Sequence, residues 1–69
     1  MDINSHHLAM VTKRAHVDAC RAAWDAMEDA RLEPSDPSLR ERARRLADES
    51  ARRGSIYDEA CTMIAQGLA

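Results

Sequence analysis

The sequence predicts an all-α fold, on three observations. Residues 5–32 contain neither Pro nor Gly and are rich in Ala, Met, Arg and Glu, all good helix formers. Apolar residues recur there at spacings of three and four, the period of a helix face. No stretch alternates apolar and polar residues as a half-buried strand does. The architecture expected is one long N-terminal helix followed by two shorter helices. They form a single domain over residues 1–69, completed as an intertwined or antiparallel homodimer.

The first helix is placed over about 5–32, with Ser5 as its N-cap. The break that follows is LEPSDPS, where Pro34 and Pro37 disfavour helix in the residues before them, so a turn is placed over 33–38. Ser38 and Glu41 fit a capping box that opens a second helix over about 38–53. Asp36 followed by Pro37 offers an earlier, competing start. Gly54 suits a left-handed stop. Ser55 with Asp58 then repeats the cap-like pattern and opens a third helix over about 55–67, ending near Gly67.

Sixty-nine residues make one domain at most, and so small a core rarely supplies more than about 3–5 kcal/mol. Large apolar residues are scarce: there is no Phe, one Trp and one Tyr. A second chain is therefore expected to complete the core. No apolar run is long enough to span a bilayer, and no secretory leader opens the chain. A reducing cytoplasm is the expected setting, with Cys20 and Cys61 as small buried hydrophobes. A formal net charge of -2 gives no general attraction to nucleic acid or anionic membrane. Nine Arg against one Lys fit a GC-rich bacterial or phage genome.

On a helical wheel the first helix carries two apolar stripes. Met10, Val17, Cys20, Trp24 and Met27 make one; Ala15, Ala19, Ala22 and Ala26 make the other. Two stripes imply two neighbours. The Trp24 stripe is expected to pack on the second and third helices. The four alanines, which let backbones approach closely, are expected to form the dimer interface. In the second helix Leu39, Ala43, Leu46, Ala47 and Ser50 make a narrow inward stripe. In the third, Ile56, Ala60, Met63, Ile64 and Leu68 face inward, with Tyr57 and Cys61 beside them.

Six Arg lie between residues 40 and 53, but Glu41, Asp48 and Glu49 reduce the local charge to +3. They also fall at i,i+4 spacing for pairing: Glu41 with Arg45, Arg44 with Asp48, Asp48 with Arg52 and Glu49 with Arg53. A solvated ion-pair helix is the first reading, and a contact patch through Arg44, Arg45, Arg52 and Arg53 the second. A helix-turn-helix can be drawn around Gly54, but Asp58 and Glu59 would then face phosphates. His16 and Cys20 are one turn apart, without the further pair that tetrahedral zinc needs. The chain offers no Gly-rich phosphate loop and no nucleophile–base motif, so no catalytic residue, metal or cofactor is assigned. Trp24 and Tyr57 are the residue types that most often anchor protein contacts.

In size, helical pattern and Arg- and Ala-rich composition, the chain resembles the small regulatory proteins of bacterial phages and plasmids. The quorum-sensing anti-activators of Pseudomonas phages are of this kind. The resemblance implies a compact helical dimer that binds and disables a host protein, such as a LuxR-type transcription factor. It carries over no functional residue. The function expected is a non-enzymatic, cytoplasmic regulator acting by protein–protein binding. Acidic Asp25, Glu28, Asp29, Asp58 and Glu59 would meet a basic target, or the arginines an acidic one. A small DNA-binding regulator and a structural phage adaptor are the alternatives.

Overall fold

The computed structural model describes residues 3–67. They form two α-helices, α1 (Ile3–Leu32) and α2 (Pro37–Ala65). The helices run antiparallel as a hairpin measuring 50 × 14 × 11 Å, two rods side by side in one layer. Among the described residues there is no strand. Leu68 lies outside the described residues.

The helix count corrects the three-helix expectation: residues 37–65 are one continuous helix that passes through Gly54. A single Gly in a helix interior costs about 1 kcal/mol relative to Ala, too little to break a helix that packs on both sides of it. Leu39, Ala43, Leu46, Ser50, Tyr57, Ala60 and Ile64 keep one helical phase across Gly54 and are all at least half-buried. A stop at Gly54 would detach the last three of them from α1. The left-handed stop falls instead at Gly67, at φ 75°. Its N–H donates to the Ile64 carbonyl at 3.0 Å.

Both other boundaries also shift. α1 already includes Ser5, which is buried rather than capping. At the turn, the Glu33 N–H donates to the Asp29 carbonyl at 3.1 Å and closes α1. The Asp36 N–H donates to the Glu33 carbonyl at 3.1 Å, with Pro34 at the position whose φ a proline presets. Asp36, not Ser38, caps α2. Its extended backbone (φ −95°, ψ 104°) lets Oδ1 accept from the Ser38 N–H at 2.9 Å and the Ser38 hydroxyl at 2.7 Å. Pro37 fills the first helical position, where no N–H is needed.

The seam is built from small residues. Ala23, Ala26, Ala43 and Ala60 are the buried apolar residues, and no large side chain is fully buried among the described residues. Alanine contributes little buried area per residue. It does allow the axes to approach at the short end of the usual 8–10 Å range. The bulkier residues of the inward phase, Leu39, Leu46, Tyr57 and Ile64, are only half-buried at its margins.

Two outcomes check this account. Ala26 is 3% exposed, so Ala26→Leu is expected to overpack the seam and destabilise the hairpin by about 1–3 kcal/mol in denaturant titration. The hydrogen bonds from the Ser38 hydroxyl and N–H hold the Asp36 carboxyl below its ordinary range. Its contribution is therefore complete above the unfolded carboxylate value, near pH 4, and is lost as pH falls through the lower folded value. Asp36→Ala is expected to lower Tm at pH 7 and to flatten the loss of Tm in acid. Asp36→Asn should keep most of the neutral-pH stability.

Candidate functional site

The main surface feature is the outer edge of α1. Met10, Val17 and Trp24 recur every seven residues, and Met27 continues the row. All four are exposed, Trp24 to 65%. This reverses the expected packing, in which the Trp24 stripe lay inside. With Cys20, which is also exposed, the row from Val17 onward alternates spacings of three and four like the seam of a coiled coil. It lies about a third of a turn round α1 from the alanine seam.

Charges border the row. One open groove is lined by Trp24, Met27, Glu28 and Arg31. Arg31 Nε donates to Glu28 Oε2 at 2.8 Å, which lowers the Glu28 pKa and raises that of Arg31. A second groove is lined by Met10, Lys13, Arg14, Val17, Asp18 and Arg21. Arg14 and Asp18 are 3.9 Å apart there. Solvated pairs of this kind contribute little stability. Their effect is to frame an apolar strip with mixed charge. Covering Trp24 would remove on the order of 150 Å² from water, worth a few kcal/mol.

His16 fixes how the two helices face each other. Its Nδ1–H donates to the Ser50 carbonyl at 3.1 Å. The ring occupies the space beside Gly54 that a side chain would need, since a Cβ there would lie 2.8 Å from His16 Cε1. The Cys20 Sγ sits 3.7 Å from both ring nitrogens. Gly54 is thus a point of close approach, not a turn. The continuity of α2 removes the bend that the helix-turn-helix alternative required.

The residues singled out in the sequence separate as follows. Ala26 is buried and Ala15 and Ala19 are half-buried, while Ala22 is exposed. The seam that Ala26 shares with Ala23 lies within one chain, where a contact between chains was expected. Tyr57 is half-buried, and a hydrogen bond with Cys61 raises its pKa. Cys20 and Cys61 are both exposed free thiols, which corrects their expected burial. Arg44, Arg45, Arg52 and Arg53 are exposed on α2. Arg52 Nη1 and Arg53 Nε reach the two oxygens of Glu49 at 2.7 and 2.8 Å. The hydrogen bond from Arg53 and the charge of Arg52 lower the Glu49 pKa. Among the described residues Glu41 and Asp48 join no ion pair, so Arg44 and Arg45 are free to meet other groups.

Among the described residues no group of three or more His, Cys, Asp or Glu is placed to hold a metal ion. Among the described residues no helix is long and apolar enough to cross a membrane. The fold and this edge define a helical hairpin with an open apolar face. Comparison with known proteins finds no matching family model, no similar curated protein and no similar solved structure.

A double-mutant cycle tests the close approach. Gly54→Ala gains helix propensity but must displace the imidazole and its bond to Ser50. It is expected to stabilise by clearly less than the ~1 kcal/mol of an unhindered site. In a His16→Ala background the same change should recover that full gain. Equal effects in both backgrounds would show that His16 does not press on Gly54.

Proposed function

We propose that this protein is a small, non-enzymatic regulator that acts by binding other proteins through helix faces its own chain leaves bare. The observation that supports the reading is the placement of Met10, Val17, Trp24 and Met27 on the outside of a hairpin whose interior is alanine. An exposed row of large apolar side chains bordered by charge is the usual anatomy of a recognition surface. Trp24 is its natural anchor, because Trp dominates contact energetics and Arg, here Arg21 and Arg31 alongside, is the next most favoured type. The likeness to phage and plasmid regulators agrees with this reading and suggests a host protein, such as a transcription factor, as the target.

A second bare patch lies elsewhere. Val11, Ile56 and Met63 are exposed, and helical phase places all three on the broad face opposite Trp24. They sit near the open end of the hairpin, since His16 is level with Ser50 and Gly54.

The test is affinity purification from a bacterial lysate with three tagged forms: wild type, Trp24→Ala, and Ile56→Glu with Met63→Glu. A defined protein retained by wild type and lost with at least one helical variant is expected. Failure of wild type to retain any protein reproducibly would remove the proposal.

A further inference from the structure

We infer that the Trp24 face is covered by a second copy of this chain, lying with α1 of each copy against α2 of the other. The inference rests on the protein-binding reading and names the occupant of that face.

The first argument is area. A folded chain of 7.7 kDa exposes 5315 Å², whereas a compact monomer of that mass exposes about 4,300 Å². The excess is about 1,000 Å², and a stable two-chain interface needs about 800 Å² from each partner. The radius of gyration, 15.5 Å, also exceeds the ~11 Å of a compact domain this size. One more layer of two helices on a single face makes a four-helix bundle, in which each chain can cover an area of that order.

The second argument is shape. The contact of His16 with Ser50 and Gly54 puts the Trp24 edge of α1 and one particular edge of α2 on the same broad face. That α2 edge carries the small residues Ala47, Ala51, Gly54 and Cys61, with Arg40, Arg44 and Asp58 among them. A bulky row and a small row therefore run side by side on one surface. A twofold axis along the hairpin lays the bulky row of each copy on the small row of the other. Counting along antiparallel helices from His16, midway between Ser50 and Gly54, Val17 is level with Ala51 and Trp24 with Arg44, with Ala47 within one turn. The indole of one copy then falls on Ala47 with the Arg44 guanidinium of the other beside it.

The third argument is charge. In the same register Lys13 of one copy comes level with the Asp58 end of the other's α2. Glu28 comes level with Arg40. Opposite charges therefore meet at the Lys13 end, while at the other end Arg40 comes level with the Glu28–Arg31 pair. The outer face with Ile56 and Met63 stays open for a different protein.

The arrangement is tested on the full chain. Light scattering and sedimentation equilibrium are expected to give twice 7.7 kDa at micromolar concentration. Trp24 emission should shift to the red on dilution. Trp24→Ala is expected to weaken self-association by ~30-fold or more. Ala51→Glu should weaken it as well, while leaving every large side chain in place. Register is read by disulfide trapping in a Cys20→Ser, Cys61→Ser background. Val17→Cys together with Ala51→Cys should give a covalent dimer, and neither alone should. A covalent dimer from Val17→Cys alone would place α1 against α1 and overturn the arrangement. A monomer at all concentrations would overturn the second copy. The broader reading survives that result if wild type still retains a lysate protein that Trp24→Ala loses.

Discussion

The close approach of α1 and α2 along alanine is the constraint on which the rest of this molecule depends. Two helices can meet at short range only where the side chains between them are small. Ala23 and Ala26 on α1, with Ala43 and Ala60 on α2, satisfy that condition. With that face of α1 turned inward, Trp24, Met27 and Met10 stand on the outside. The interior and the exposed apolar row thus have one cause. Whatever makes the seam narrow also sets the large apolar residues on the outside.

Gly54 and His16 show how far that closeness goes. At the level of Gly54 the absence of a Cβ leaves room for an imidazole, and the ring uses it to reach a main-chain carbonyl one turn earlier. Ser50 meanwhile turns its own hydroxyl onto the Ala47 carbonyl at 2.8 Å, so it leaves no polar atom unmet in the seam. The contact is polar, specific in register and long in sequence separation. An all-alanine seam lacks such a marker, because alanines four residues apart are interchangeable. His16 with Gly54 is therefore the feature best suited to fix how α1 slides against α2.

Helical class, the two-proline break and the long first helix were legible because they depend on local chemistry. Pro34 and Pro37 act on their neighbours' backbone, and the sequence signals for Asp36–Pro37 and Ser38–Glu41 both lay in the right turn. The choice between those two caps was not legible, since it depends on which carboxylate finds the Ser38 N–H. Gly54 was misread for a related reason. A glycine after a charged run has the local signature of a helix stop. The phase of Leu46, Ser50, Tyr57 and Ile64 ran unbroken through it, and that longer pattern was the signal to weigh. The inside–outside assignment of α1 failed because hydrophobicity favours burying Trp24, while the structure turns the Ala23 and Ala26 face to α2.

A hairpin of this construction ties folding to association. Its own seam buries little apolar area, so the free energy from covering the Trp24 row is a large share of what the fold can gain. Any occupant that binds the folded form and not the unfolded chain adds stability in proportion to the logarithm of its concentration over its dissociation constant. For a second copy that concentration is the protein's own. The chain would then become more ordered as it accumulates and would present its outer face, with Ile56, Met63 and the unpaired Arg45, only in that ordered form. If the proposed second copy covers the Trp24 face, self-association and binding of a target through the other face would be coupled without any conformational switch, because the first event would supply the rigid surface that the second needs.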